Sequence, residues 1–280
     1  MAIDYIINRA CSVKETLGAD GIVHLIKSRT RGRTLLRMLM DDGRSQEDAL
    51  STTVEMQTSE ADGEVSKRQM AVGQMLKEGA LLDDYADQCK DCPVNLLESY
   101  GCYQSVNYPL SGKAERWLAR LAESAVAAGL PDSILISFIL DKEISGEHFG
   151  KLRQKLGEKY LELTTPLEIV VKKKLLKKIT INTDQILDMF FAVGEMQPAH
   201  QQFLHFFSGG LRMQESLPNM EQLGKDFQAG LTVGEDGEDI YWVYELKNDK
   251  HDDRSIRQVK AFLRALFAAW CGGNSVTIDF

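Results

Sequence analysis

The clearest pattern of apolar and polar positions lies near the C-terminal end of the chain, where apolar residues recur three and four positions apart. They are Ile256, Val259, Phe262, Leu263, Leu266, Phe267 and Trp270. This spacing places them along one side of an α-helix, so it predicts an amphipathic helix. Gly272 and Gly273 follow the pattern and mark the helix end, because glycine adopts the backbone conformations found there without steric cost.

Shorter apolar repeats predict further helices in the first half and the middle of the chain. The predicted helices cover residues 20–40, 73–88, 117–126, 152–160 and 183–194. A Thr-Pro-Leu-Glu capping box at residues 165–168 predicts one more helix start, because its hydroxyl and carboxylate would satisfy amides that a helix N-terminus leaves unpaired. The β-branched residues 169–171 that follow also permit a strand.

Segments rich in β-branched and aromatic residues predict strands at both ends of the chain. Residues 2–9 and 275–280 favour single strands. Residues 51–72 and 231–246 each favour a hairpin, because strand-like segments flank an Asp-Gly pair that suits a tight turn. The predicted class is therefore α+β, with an antiparallel sheet formed by the N- and C-terminal hairpins and strands and with a largely helical middle segment.

Length and composition are those of an ordinary globular protein. The chain has 280 residues, of which 44% are hydrophobic and 26% are charged, and this composition excludes a disordered or low-complexity chain. We expect one domain over residues 1–280, within which residues 111–210 could form a helical subdomain. The formal net charge is -8, which argues against a globally cationic nucleic-acid-binding protein but permits a local basic patch.

The N-terminal segment and the length of the apolar runs bear on the compartment. The first residues carry no basic lead-in and no small-residue cleavage site, so a secretory signal is not expected. The longest apolar runs, such as residues 134–140, fall well short of the roughly 20 residues that a membrane span requires. We therefore expect a cytoplasmic protein, in which cysteines are more often metal ligands, reactive thiols or core residues than disulfides.

The cysteines supply the main candidate chemistry. Cys89 and Cys92 form a Cys-x2-Cys pair, and two thiolates at this spacing can bind one ion from a tight turn. Cys102 follows as a third predicted ligand. Cys11 is the predicted fourth, because it comes after the first predicted strand and could return to the site in the folded chain. Cys271 is the weaker alternative, since it lies in the last turn of an apolar helix, where packed thiols are common.

Three interpretations of these cysteines remain open. Four thiolates suit a structural zinc ion and also an iron–sulfur cluster, so the metal is undecided. Cys89 and Cys92 could instead be a redox dithiol, although such pairs ordinarily follow a strand and here a predicted helix precedes them. The cysteines could also be packed core residues without any metal, because free cysteine is among the most buried residue types.

A second candidate site is a set of basic residues in the predicted helix at residues 20–40. Arg29, Arg33 and Arg37 are four positions apart and therefore project along one face. They could bind the phosphate of a nucleotide or another anion, or they could form a solvated face that pairs with the protein's own carboxylates. The chain has no glycine-rich phosphate loop, dinucleotide fingerprint or Gly-x-Ser-x-Gly motif, so whether it is an enzyme is left open.

The leading hypothesis is a cytoplasmic protein in which the four predicted cysteine ligands hold zinc or an iron–sulfur cluster in a structural or redox role. Such a protein would act through a protein partner, and neither a membrane nor nucleic acid is an expected partner. One alternative is a phosphate- or nucleotide-binding enzyme that uses the three arginines. The other is a metal-free interaction module whose cysteines are packed in its core.

Overall fold

The computed structural model describes residues 2–59, 65–90, 92–94, 100, 102–127, 133–172, 178–192, 194–218 and 227–279. Its internal contacts divide the chain into two compact units. The larger unit comprises Met1–Arg9 and Cys102–Phe280, and the smaller unit comprises Ala10–Gly101. The expectation of one domain over residues 1–280 stays a prediction.

Helices and strands of both units are numbered in chain order. The strands are β1 (Ala2–Ile7), β2 (Thr53–Ser59), β3 (Val65–Ala71), β4 (Tyr103–Asn107), β5 (Glu168–Lys172), β6 (Lys178–Asn182), β7 (Glu195–Met196), β8 (Leu211–Gln214), β9 (Phe227–Val233), β10 (Asp239–Glu245) and β11 (Val276–Asp279). The α-helices are α1 (Ser12–Leu17), α2 (Ala19–Asp41), α3 (Gln46–Ser51), α4 (Val72–Ala80), α5 (Ala86–Cys89), α6 (Gly112–Ala127), α7 (Ser133–Asp141), α8 (Glu147–Leu156), α9 (Thr183–Phe191), α10 (Pro198–Phe207) and α11 (Arg254–Cys271).

The two ends of the chain meet in a four-stranded antiparallel sheet of the larger unit. Its strand order is β4-β1-β11-β7, and Tyr5 of β1 lies opposite Ile278 of β11 and Gln104 of β4. The sheet therefore joins strands from the first and last residues of the sequence, as predicted, and the α+β class is confirmed. The two predicted hairpins also form, but each lies outside this sheet: β2 pairs with β3, and β9 pairs with β10.

Helix α11 packs between the four-stranded sheet and the three-stranded sheet β8-β10-β9 of the same unit. Phe262 contacts Tyr5 of β1 at 4.8 Å between ring centroids, and Phe267 stacks on Tyr244 of β10 at 5.4 Å. The predicted amphipathic helix is thus confirmed, and it is buried on more sides than one apolar stripe would require. Each aromatic side chain buried in this way contributes about 1.5–3 kcal/mol to folding.

The helix predicted to start at the capping box of residues 165–168 is wrong. Residues 168–172 form β5, and Ile169 of β5 pairs with Ile181 of β6. The β-branched residues decide the outcome, since they pack well on a pleated strand and lose side-chain freedom in a helix. A capping box does occur nearby, at Asn182 and Gln185, where each side chain accepts a hydrogen bond from the other residue's amide at the start of α9.

Close packing of α2 on α4 organises the smaller unit. Gly79 of α4 allows the contact, because a Cβ atom at this position would lie 2.5 Å from Cβ of Arg29. The helix predicted over residues 73–88 is interrupted after Ala80 by a 3-10 turn, at the point where the Arg29 guanidinium donates two hydrogen bonds to the Gly79 carbonyl oxygen. The Asp-Gly tip predicted for the β2–β3 hairpin falls outside the described residues.

Among the described helices, none is both long enough and apolar enough to cross a bilayer.

Candidate functional site

Three of the four predicted cysteine ligands belong to the smaller unit. Cys11 is the N-cap residue of α1, Cys89 is the last residue of α5, and Cys92 follows in the next turn. The Cys92 amide donates a hydrogen bond to the Cys89 carbonyl oxygen at 3.2 Å. The Cys-x2-Cys pair is therefore held in a tight turn, which is the backbone form that lets two such thiols face one ion.

The N-terminus of α1 lies against the end of α5, and this contact brings Cys11 to the pair. The Ser12 hydroxyl, next to Cys11, donates a hydrogen bond of 2.7 Å to the side-chain oxygen of Gln88, next to Cys89. A negative charge on Cys11 or on Cys92 raises the pKa of the Cys89 thiol. Thiols that are far apart in the sequence thus share one electrostatic environment, which we call the thiol cluster (Cys11, Cys89 and Cys92).

Burial sets the ionisation of Cys89, the most enclosed member of the thiol cluster. Desolvation raises the pKa of the Cys89 thiol, and the proximity of Cys11 and Cys92 raises it further. A hydrogen bond from the Tyr100 backbone and the charge of Lys14 act in the opposite direction. A bound cation would also lower the pKa of the Cys89 thiol, because a metal favours the thiolate form of its ligands.

Tyr100 ties the cluster to the preceding helices of the smaller unit. Its hydroxyl donates a hydrogen bond to the Leu82 carbonyl oxygen, and its side chain is buried. Its φ of 68° lies in the left-handed region, which is uncommon for a bulky aromatic residue. The residue that bonds to Cys89 is therefore held in a strained backbone conformation by contacts of its own side chain.

The remaining two cysteines belong to the larger unit. The Cys102 carbonyl oxygen accepts a hydrogen bond of 2.9 Å from the Ile7 amide, just before β4. Cys271 ends α11 and packs on β9, where a Cβ atom added to Gly230 would lie 2.2 Å from the Cys271 sulfur. Burial raises the pKa of Cys271 to about 12. These features are typical of a packed core thiol, the role that the sequence suggested for it.

The thiols are not arranged as a formed metal site. Among the described residues, no group of three or more histidine, cysteine, aspartate or glutamate side chains is placed to hold a metal ion, and all five cysteines are free thiols. The structure thus gathers Cys11, Cys89 and Cys92 without giving them ligand geometry. The four-cysteine ligand set, including Cys102, stays a prediction.

The three predicted anion-binding arginines have different environments. The Arg29 side chain is largely buried and bonds to the Gly79 carbonyl oxygen and, at 2.7 Å, to Asp83. Arg33 and Arg37 are exposed on α2. Arg29 is therefore engaged in holding α2 to α4, and it does not join the other two on an open face.

Sequence reasoning missed a buried ionic cluster in the larger unit. Arg153 of α8 contacts Glu115 of α6 at 2.9 Å and Asp184 of α9 at 2.6 Å, and all three side chains are almost fully enclosed. The Thr183 hydroxyl also donates to Glu115, at 3.1 Å. A signal was available, because Glu115 occupies the same helical phase as the buried Leu118 and would therefore point inward.

Two histidines of the larger unit pack against aromatic rings: His205 is buried, and His200 is half-buried beside Phe138 at 5.1 Å between ring centroids. Desolvation lowers the pKa of His205 to about 3 and that of His200 to about 4. His205 is enclosed by aromatic rings, among them Tyr244 at 4.8 Å. Both rings are therefore neutral at physiological pH.

Known proteins offer no guide to the function of these features. Neither protein-family models, nor curated proteins, nor solved structures give a match to this chain. The function is therefore inferred from the chemistry of the chain's own residues.

Proposed function

We propose that this protein binds a metal, as a zinc ion or an iron–sulfur cluster, through the thiolates of Cys11, Cys89 and Cys92. The metal serves a structural or redox role in a cytoplasmic protein that acts through a protein partner. One observation carries the proposal: residue 11 lies beside residues 89 and 92 in the folded smaller unit, through the contact between α1 and α5.

The chemistry of the cluster supports a soft metal ion. Thiolates are the preferred protein ligands of zinc and of iron–sulfur clusters. Lys14 and the Tyr100 backbone both favour the thiolate form of Cys89, and a backbone hydrogen bond to a ligand sulfur is a usual second interaction in such sites. A tight turn between two ligands is also typical of them.

Metal binding must draw the three sulfur atoms together, because they are not yet arranged as a ligand set. Cys92 is only partly buried and lies in a turn outside α5, so this turn is the segment expected to adjust. Coupling of this kind makes the free energy of metal binding available to fold stability. Cys102, the predicted fourth ligand, is not needed for this argument.

Metal content after anaerobic purification tests the proposal. We expect about one zinc ion or one cluster per chain in the wild-type protein. Cys11→Ala, Cys89→Ala and Cys92→Ala each lose most of the metal. Cys271→Ala is the matched control, since this thiol packs in the larger unit, and it retains the metal content of the wild type.

The optical spectrum separates the two metals. A colourless protein that contains zinc supports the structural role, and a brown protein that contains iron and inorganic sulfide supports the redox role. A metal-free protein in which Cys89→Ala and Cys92→Ala lower the free energy of unfolding by only about 1–3 kcal/mol contradicts the proposal and leaves the interaction module with packed cysteines.

A further inference from the structure

Strand β9 lies at one edge of the three-stranded sheet of the larger unit. The strand order is β8-β10-β9, so β10 bonds to one side of β9 and no described strand bonds to the other side. Folded proteins ordinarily protect such an edge with a short strand, a charge, a proline or a bulge, because its unbonded backbone groups can pair with another chain. β9 has seven residues, Phe227–Val233, none of them charged or proline, and its register with β10 has no bulge.

The hydrogen-bonding pattern of the hairpin shows which backbone groups of β9 face the open edge. The Gly234 amide donates to the Glu238 carbonyl oxygen at 2.8 Å, and bonded positions alternate with unbonded ones along an antiparallel pair. In the observed register, residues 228, 230 and 232 therefore bond to β10. The groups that point away from β10 belong to Phe227, Ala229, Leu231 and Val233, and none of these residues has a hydrogen bond to another described residue.

The same edge-facing residues carry apolar side chains on the outer face of the sheet. Gly230 marks the inner face, since a Cβ atom added to it would meet α11. Side chains alternate between the two faces along a strand, so the odd-numbered residues of β9 lie on the outer face. Leu231 is 39% exposed there and Val233 is 69% exposed. The open edge and an exposed apolar strip therefore form one surface.

We propose that β9 pairs with β9 of a second copy of this chain, antiparallel about a two-fold axis, so that the two sheets join into one continuous sheet. With the axis at Gly230, residue 227 lies opposite residue 233 of the second copy, and residue 229 lies opposite residue 231. Each edge-facing amide then meets an edge-facing carbonyl oxygen, because these are the positions that β10 leaves unbonded. This inference does not depend on the proposed metal site.

The side chains of β9 match those of the second copy in this register. Opposed side chains are all apolar on the outer face, and on the inner face Gln228 lies opposite Thr232, which are both polar. The apolar pairs are Phe227 with Val233 and Ala229 with Leu231. Cross-strand pairs of like polarity stabilise a sheet. The strand is therefore complementary to itself, as a two-fold interface requires.

Gln228 supplies a second observation that points to a partner. Its side-chain oxygen is buried and has no hydrogen-bond partner among the described residues, although buried polar atoms are ordinarily bonded. The Thr232 hydroxyl accepts a hydrogen bond of 2.7 Å from the indole of Trp242, so its own hydrogen can be donated elsewhere. Rotation of the Gln228 side chain towards the second copy brings its oxygen to this hydroxyl, and the pairing satisfies both groups.

Charge favours the antiparallel arrangement over a parallel one. The turn that follows β9 contains Glu235, Asp236 and Glu238, all of them exposed. In the antiparallel pair the two acidic turns lie at opposite ends of the joined strands, roughly 25 Å apart at about 3.4 Å per residue, which is well beyond the screening length of about 8 Å. A parallel pair would set the turns side by side, where like charges repel each other.

Sedimentation velocity at protein concentrations of about 1–500 µM tests the association, because an interface of one strand per copy is small and weak. We expect a reversible equilibrium between one chain and two, with a dissociation constant of about 10–100 µM. Leu231→Lys weakens it at least about tenfold, since a charge on an edge strand opposes pairing and the two introduced charges lie diagonally across the axis. Met213→Lys is the control, because Met213 is exposed on β8, the other edge strand, and it leaves the affinity within about twofold of the wild type.

A double variant tests the register and the fold of the single variant. Ala229→Glu added to Leu231→Lys sets opposite charges against each other, because residue 229 faces residue 231 of the second copy. The double variant therefore binds at least about fivefold more tightly than Leu231→Lys alone. A register shifted to an axis at Ala229 would set the two glutamates against each other and prevent this recovery. Recovery also shows that the lysine substitution leaves the sheet folded.

Amide hydrogen exchange, resolved by residue, tests which backbone groups the second copy covers. The amides of residues 228, 230 and 232 bond to β10, so they exchange slowly at every protein concentration. The amides of residues 227, 229, 231 and 233 exchange rapidly in dilute protein and slowly in the concentrated dimer. The metal content of Leu231→Lys equals that of the wild type, so the two proposals can fail separately.

Four results would overturn the proposal. One is a protein that stays monomeric at the highest concentration measured, and another is a dimer that Leu231→Lys does not weaken. The third is slow exchange of the edge-facing amides in the dilute monomer, which would mean that another segment of the same chain covers the edge. The fourth is growth beyond two chains, which would assign the contact to β9 on β8, a pairing of unlike edges that does not close.

Discussion

Arg153 of α8 links its own helix to α6 and α9 in the larger unit. One guanidinium group satisfies two buried carboxylates, Glu115 and Asp184, and also donates to the Leu163 carbonyl oxygen. Desolvation raises the pKa of Glu115, and the hydrogen bonds and charge of Arg153 counteract that rise. Removal of the cation therefore leaves carboxylates that are buried without a counter-charge.

Replacement of Arg153 measures this dependence. We expect Arg153→Met to lower the free energy of unfolding by about 3–5 kcal/mol, the usual effect of breaking a buried ion pair from one side. Arg212→Met is the control, because its pair with Glu245 is 64% exposed on the arginine side, and it changes stability by less than about 1 kcal/mol. Equal effects of the two substitutions, measured in denaturant titrations, would contradict the buried cluster.

His205 gives the fold a dependence on pH. Its pKa is about 3 when folded, against 6.5 for the unperturbed side chain. The unfolded chain therefore takes up a proton below pH 6.5 that the folded chain does not hold until about pH 3, and stability falls as the pH drops through this window. The contribution at pH 5 is about 2 kcal/mol in favour of unfolding.

The His205→Phe variant cannot take up this proton, so it tests how much His205 contributes to the pH dependence of stability. The fall in the free energy of unfolding between pH 7 and pH 5 should shrink by about 2 kcal/mol in the variant. His251→Gln, in an exposed loop, should leave the fall unchanged. An unaltered pH dependence in His205→Phe would show that this ring is protonated in the folded protein.

The close crossing of α2 and α4 depends on a glycine at the contact between the two helices. Gly79 has no space for a Cβ atom beside Arg29, whereas a Cβ atom on Gly21 of α2 would meet its nearest neighbour at an ordinary 3.6 Å. Gly79→Ala should lower the free energy of unfolding by about 1–3 kcal/mol through overpacking. Gly21→Ala should raise it by about 0.5–1 kcal/mol, because alanine loses less backbone freedom than glycine when the chain folds into a helix.

Chemical denaturation of the two glycine variants checks the opposite signs. Stabilisation of the protein by Gly79→Ala would mean that α2 and α4 do not approach as closely as described. Destabilisation by Gly21→Ala would place an unexpected contact on the first turn of α2.

Helices and strands could be predicted from the sequence where a segment carried a single residue pattern. The apolar spacing around Phe262 fixed α11, and the β-branched residues of β1 and β11 indicated the two strands that became neighbours. The segment after Thr165 carries a capping box, which favours a helix, and three β-branched residues, which favour a strand. The local sequence does not decide between the two. Pairing of β5 with β6, a contact made only on folding, decided between them.

The surroundings of the thiols depend on how the whole chain folds. The cysteine spacing therefore predicted the turn of the Cys-x2-Cys pair but not the environment of its thiols. Cys89 and Cys92 are neighbours in the sequence, whereas the approach of Cys11 depends on how α1 packs against α5. The burial that raises the pKa of Cys89 also comes from packing. Because no local pattern encodes such contacts, the candidate site could be predicted only as a set of residues.

X-ray absorption spectroscopy at the zinc or iron edge decides whether these thiols hold a metal, since it counts the sulfur atoms around the metal. We expect a shell of at least three sulfur ligands, at about 2.3 Å for zinc, and we expect the Cys11→Ala variant to lose most of its metal, with less protein sulfur around the metal that remains. A metal surrounded only by nitrogen and oxygen, or a shell that Cys11→Ala leaves intact, would contradict a metal site built by Cys11, Cys89 and Cys92.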